Sequence, residues 1–221
     1  MLRILLTAFR PFDDWDQNAS WLALQALTRD LPPQLSEAVE ITTRLYPVDY
    51  KELRPRLAMD LQASYDVVLL IGQAAGSAAV RLEQFALNAC RQRGDTPETV
   101  RSLEAEGPPA YRSDLPLGDW TRRLRECGVP TELSLHAGDY LCNAAMYWSH
   151  YLLESAGRRP LVAFVHLPLD VSQTARLERP LPSLPSEISA HALRLLVTWA
   201  AETVSPSAAI VSAIPAKRGE A

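Results

Sequence analysis

Short apolar runs alternate with stretches of helical periodicity along the chain, and this alternation sets the expected fold. Leu2–Thr7 is a short apolar run that reads as a buried strand. Ser20 stands where it can cap a helix running to about Leu31, closed by Pro32-Pro33. Glu40–Leu45 is rich in β-branched residues and reads as a strand. Asp49–Leu61 has helical character, with Pro55 calling for a kink or a later start. Tyr65–Gly72, "YDVVLLIG", is a central strand ending in glycine, whereas Val80–Cys90 fits either strand or helix. Asp95–Leu117 has little periodicity and reads as a long loop or hairpin. Leu117–Cys127 is helical, with Gly128 suited to its end. Thr131–Leu135 is a short strand, Asp139–Ser155 a helix with Gly157 just past it, and Pro160–Pro168 another buried strand. Ser186–Thr203 is an amphipathic last helix with Ser186 as its cap, and the tail, residues 213–221, is expected to fray.

Strands alternating with helices, several of them continuously apolar, predict an α/β protein. The expected form is a three-layer α/β/α open sandwich around a twisted, mostly parallel or mixed sheet. No internal repeat or linker divides residues 1–221, so a single domain is expected. In such folds sites gather where strands give way to loops. That directs attention to Phe9–Asn18, Gly72–Ser77, Gly138–Cys142 and His166–Pro168.

Composition narrows the classes of function. The net charge of -4 gives no basic footprint for nucleic acid. No apolar run approaches the roughly 18 residues needed to cross a bilayer, and "MLRILLTAF" reads as a first strand, not as a signal segment. The three cysteines, Cys90, Cys127 and Cys142, carry no CxxC spacing. Neither a disulfide framework nor a metal site is expected, and the reducing cytoplasm is the expected compartment.

Cys142 is the first candidate for chemistry. Backbone N–H groups and the dipole at a helix start favour a thiolate, and Asp139 can cap that helix. The bland reading competes with it: Cys142, Ala145, Met146, Ser149 and Leu153 share one helical face, which suits a buried, inert cysteine. His166 ends the apolar run "LVAFVH", where an α/β enzyme places a base; it serves equally as a structural histidine. His150 and His191 lie inside helices, but His136 is close to Cys142 in sequence and stays open. Glu83 has apolar neighbours in "AVRLEQFALNA", and a carboxylate there needs a partner such as a histidine; taken singly it is a surface glutamate. "GQAAGS" lacks the spacing of a phosphate loop.

Four of these segments, in order from residue 1 to about 170, resemble the pyroglutamyl peptidase I (pyrrolidone carboxyl peptidase) family of cysteine peptidases. "LLTAFRPF" is similar to its T-G-F-x-P-F opening, and "IGQAAGSAAVRLEQFALNA" to its glutamate signature. "SLHAGDYLCNAAMY" is similar to the cysteine signature S-x-x-A-G-x-[FY]-x-C-N, and "FVHLP" to the histidine segment. The resemblance implies Cys142 as nucleophile, His166 as base and acid, and Glu83 as the residue that orients it. It implies Arg93 near the acyl oxygen, Phe9 and Phe12 around a lactam ring, and Gln73 and Asn18 beside the substrate. The implied activity is removal of N-terminal pyroglutamate from a blocked peptide, with no cofactor and no metal. The implied assembly is a cytoplasmic homo-oligomer, a dimer or tetramer.

This chain departs from the family pattern near the expected pocket. "QRGDTPE" replaces A-R-I-P-D-N, Arg81 and Gln84 flank Glu83, Ala8 and Ala19 replace a glycine and a proline, and His136 stands where Ser or Asn is common. These departures keep two rivals in view: a cysteine amidase with another N-acyl specificity, and a non-catalytic binding protein on the same fold. A phosphorylase rests on fold analogy alone.

Overall fold

The computed structural model describes residues 1–92, 94–96 and 98–205. Seven strands and seven helices follow one another as β1 (Leu2–Phe9), α1 (Ala19–Arg29), α2 (Pro33–Ala38), β2 (Val39–Tyr46), α3 (Tyr50–Asp60), β3 (Val67–Gln73) and β4 (Val80–Leu87). They continue as β5 (Ala110–Arg112), α4 (Leu117–Glu126), β6 (Thr131–His136), α5 (Leu141–Ser155), β7 (Leu161–Leu167), α6 (Val171–Thr174) and α7 (Ser186–Val204). Val80–Cys90, open between helix and strand in the sequence, is a strand. The long aperiodic segment holds only the short β5. The tail beyond residue 205, expected to fray, lies outside the described residues.

The sheet order is β2-β1-β3-β7-β4-β5, with β6 also paired to β4. β2, β1, β3 and β7 run parallel, so their carboxyl ends form one rim. β4 is antiparallel to β7 and begins at that same rim, with Arg81 opposite His166 and Glu83 opposite Phe164. The sheet is therefore mixed, and it is covered on both faces.

Strand alternation divides the core in two. Ile4, Leu6, Val67, Leu69, Ile71, Ala163 and Val165 pack beneath α1, α4 and α7. Leu5, Val68, Leu70, Val162 and Phe164 pack beneath α3 and α5. A period of two carries this second set onward to Gly72 and His166, where the apolar run ends and polar chemistry begins. Each fully buried leucine in these layers contributes about 1.5–3 kcal/mol by leaving water.

Several helix starts differ from the sequence expectation. Asn18, not Ser20, caps α1: its side chain accepts from the Ser20 N–H, and Ser20 Oγ in turn accepts from the Phe9 N–H. Ser20 is thus committed to holding the end of β1. Asp49 caps α3, which starts at Tyr50 and carries Pro55 inside it. α7 starts at Ser186 with Pro185 before it, and the Ser186 N–H is taken by Asp170 Oδ2 instead of a local cap. α5 begins at Leu141, two residues later than expected, because Asp139 does not cap it.

Candidate active site

Three elements converge at the carboxyl rim. His166 is 9 % exposed and Glu83 is 1 % exposed, and His166 Nδ1 lies 2.8 Å from Glu83 Oε1. The antiparallel pairing explains the contact. Glu83 and Phe164 are opposite each other, so Glu83 is the diagonal neighbour of His166 on one face of the sheet. The Phe164 ring packs against the imidazole with centroids 4.7 Å apart, fixing its plane. Glu83 Oε2 is buried without a partner among the described residues, so the carboxylate's hydrogen bonding is spent on one ring nitrogen.

Cys142 is the second residue of α5 and is half-buried. Its sulfur lies against Gly72, the residue paired with His166 in the sheet, and so beside the same imidazole. Burial alone would lower the His166 pKa, but Cys142, by charge and hydrogen bond, and Glu83 on its other side raise it from 6.5 to about 9. Nδ1 faces Glu83, which leaves the other ring nitrogen for sulfur.

The turn before α5 explains how Cys142 arrives there. Gly138 has φ +80°, a left-handed conformation that disfavours any Cβ, and Tyr140 takes the N-cap position in extended conformation without a side-chain cap. The backbone N–H groups of Leu141, Cys142 and Asn143 consequently have no acceptor among the described residues. Asn143 fastens this first turn to the end of β4. Its Oδ1 accepts from Leu87 N–H at 2.8 Å, and its Nδ2 donates to the carbonyls of Leu87 and Ala89. In the sequence Asn143 stands only as part of the cysteine signature; the backbone groups at the end of β4 that it serves lie more than fifty residues away along the chain.

The other expected residues fall in several places. Phe12 lines an open cleft of about 420 Å³ with Asp13, Val48, Arg91, Gln92 and Tyr140. Phe9 is 3 % exposed and packs behind, its ring centroid 6.5 Å from that of Phe164. The Gln73 side chain turns away from this cleft: Oε1 accepts from Ala19 N–H and from Gln173 Nε2, both at 2.8 Å, joining α1 and α6 to the rim. Asn18 is occupied as the cap of α1, its Nδ2 donating to the Arg10 carbonyl. Arg93 lies outside the described residues. His136 is exposed, its Nδ1 accepting from Gly138 N–H at 3.1 Å, while His166 alone takes the place beside Cys142 and Glu83. Asp139, expected as a cap, is instead ion-paired with Arg91 at 3.1 Å.

A thiol at a helix start, an imidazole at a strand end and a buried carboxylate behind it form the constellation of a cysteine hydrolase. The sequence model of the pyroglutamyl peptidase family matches residues 2–203. The chain belongs to that family. A pyrrolidone-carboxylate peptidase of Thermococcus onnurineus is 33% identical over 204 residues, covering 89% of this chain and 97% of the relative. Pyrrolidone-carboxylate peptidase 1 of Saccharolobus solfataricus is 31% identical over 203 residues, covering 90% and 93%. The crystal structure of pyrrolidone carboxyl peptidase from Fervidobacterium islandicum superposes with a TM-score of 0.80 at 30% identity, covering 89% of this chain and 97% of that one.

Proposed function

We propose that this protein is a cysteine peptidase that removes an N-terminal pyroglutamyl residue from peptides. The observation that carries the reading is the Glu83–His166–Cys142 alignment at the rim of a sheet shared with the family.

The Cys142 thiolate attacks the carbonyl that joins pyroglutamate to the next residue, forming the carbon–sulfur bond of a tetrahedral intermediate. The N–H groups at the start of α5 stabilise its oxyanion. As the carbon–nitrogen bond breaks, protonated His166 passes its proton to the departing amine, which leaves as the shortened peptide. Neutral His166 then takes a proton from water, the resulting hydroxide attacks the thioester, and the thiolate departs with His166 reprotonated. Glu83 holds the imidazole in one orientation throughout and stabilises its charged form. Phe12, Val48 and Tyr140 supply apolar walls for the lactam ring. The family resemblance implies Arg93 near the acyl oxygen.

No helix among the described residues is long and apolar enough to cross a membrane. Three free cysteines, one of them the nucleophile, support a reducing compartment such as the cytoplasm. A homo-oligomer is supported by the edge strand β6, which exposes Leu133 and Leu135 along one side; light scattering would read the state directly.

The test is to incubate the protein, under reducing conditions, with one peptide in two forms, blocked by pyroglutamate or beginning with uncyclised glutamine. Mass spectrometry should show loss of one pyroglutamyl residue from the blocked form only. Release from neither form contradicts the reading, and release of glutamine instead points to an amidase of different acyl specificity.

A further inference from the structure

Among the described residues, the cleft lined by Phe12, Val48 and Tyr140 holds one cation, Arg91, whose backbone is fixed at both its N–H and its carbonyl. Arg91 N–H donates to the Asp139 carbonyl at 2.8 Å, and the Arg91 carbonyl accepts from Tyr50 Oη at 2.9 Å. Its Nη1 pairs with Asp139 Oδ2 at 3.1 Å. The arginine is thus stapled three times, twice to the residue that leads into the nucleophile helix. Tyr50 is itself fixed edge-on against Tyr140 and Trp148, at 5.5 and 6.1 Å between centroids.

The guanidinium is nevertheless incompletely used. Arg91 Nε is sealed from solvent without a hydrogen-bond partner among the described residues, while the side chain as a whole is 42 % exposed and lines the cleft, so the terminal nitrogens of the guanidinium are the donors a bound group can reach. A buried donor without an acceptor is costly, and an arginine offers donors only. Because Arg91 lines the cleft and offers donors only, the group it would meet there is an oxygen acceptor, presented by something small enough to lie against Phe12, Val48 and Tyr140.

We propose that Arg91 is a specificity-determining residue that donates to the ring carbonyl oxygen of the pyroglutamyl group, with Asp139 as the residue that positions it. The proposal rests on the pyroglutamyl reading above. A five-membered lactam fits the requirement: an apolar ring with one carbonyl oxygen on its edge. Rejection of an N-terminal proline, the same ring without that carbonyl, follows, because it leaves the donors unmatched. A charge-assisted hydrogen bond of this kind is worth about tenfold to a hundredfold in binding.

The experiment uses two readouts on wild type, Arg91→Met, Arg91→Lys and Asp139→Asn. The first is hydrolysis of a pyroglutamyl 4-nitroanilide, separated into KM and kcat. The second needs no turnover: protection of Cys142 from iodoacetamide by 2-pyrrolidone, the bare lactam. For Arg91→Met, KM and the 2-pyrrolidone concentration giving half-protection should both rise by about tenfold or more. The alkylation rate without lactam should not change. Arg91→Lys should recover part of the binding, and Asp139→Asn should fall between wild type and Arg91→Met. Unchanged half-protection in Arg91→Met overturns the proposal, as does a parallel fall in unprotected alkylation, which would place Arg91 in support of Cys142 and not of the ring. Wild type that is protected by 2-pyrrolidone but hydrolyses no pyroglutamyl anilide overturns the peptidase reading while leaving the arginine contact standing; wild type that shows neither overturns both.

Discussion

Cys142 Sγ rests against the bare Cα of Gly72: a Cβ at residue 72 would stand 3.0 Å from the sulfur and 2.7 Å from Phe164 Cζ. Gly72 pairs with His166 in the sheet, so the missing side chain opens the space in which sulfur meets imidazole. Gly72→Ala should therefore push Cys142 off His166 or displace the Phe164 ring that braces it. We expect kcat to fall by about a hundredfold, with a loss of about 1–3 kcal/mol in stability from overpacking. Steady-state kinetics and urea unfolding would measure the two effects.

Glu83→Gln keeps the shape of the side chain and removes its charge. The imidazolium then loses its anionic partner and its preferred orientation. A fall in kcat of about two to four orders of magnitude is expected, with KM changing far less. A fall of less than about threefold would remove Glu83 from the mechanism.

The pH dependence follows from His166. Burial opposes its charge, while Cys142 and Glu83 outweigh burial and raise the pKa from 6.5 to about 9. A raised folded-state pKa means that charging this histidine stabilises the fold. That contribution is complete below about pH 6.5 and is lost as pH rises through about 9. The difference in melting temperature between wild type and His166→Gln should shrink steadily over that window. Activity should decline over the same upper limb, because neutral His166 has no proton for the leaving amine.

Asn143→Ala leaves the Leu87 N–H and the Leu87 and Ala89 carbonyls without their partner. Each buried group left unpaired costs about 1–3 kcal/mol. A lower melting temperature and slower alkylation of Cys142 by iodoacetamide are both expected, since the helix start is no longer fastened to β4. His136→Ala, by contrast, removes one hydrogen bond at an exposed position and should change stability by less than about 0.5 kcal/mol and leave alkylation unaltered.

The fold was largely legible because its strands are written as continuous apolar runs. Val67–Gln73 and Leu161–Leu167 are buried along nearly their whole length. Strand β4 was not, since its polar residues Arg81, Glu83 and Gln84 suit a helix as well as a strand until pairing with β7 and β6 gives Arg81 and Glu83 their neighbours. Helix starts slipped for a similar reason. Ser20 and Asp139 have the chemistry of caps, but long-range partners, Phe9 for one and Arg91 for the other, claim their polar atoms. Of the candidate site, Cys142, His166 and Glu83 come together as their types suggested. Gln73 and Asn18 carry motif positions whose side chains serve the joints between β3, α1 and α6. Arg91 carried no signal in the sequence, because its place depends on Asp139 and Tyr50, which are distant along the chain.

The most direct test of the account compares wild type with Cys142→Ala, each supplied with a pyroglutamyl-coupled chromogenic amine under reducing conditions. The account predicts continuous release of the amine by wild type and none above background by Cys142→Ala. Release by Cys142→Ala at the wild-type rate would contradict it.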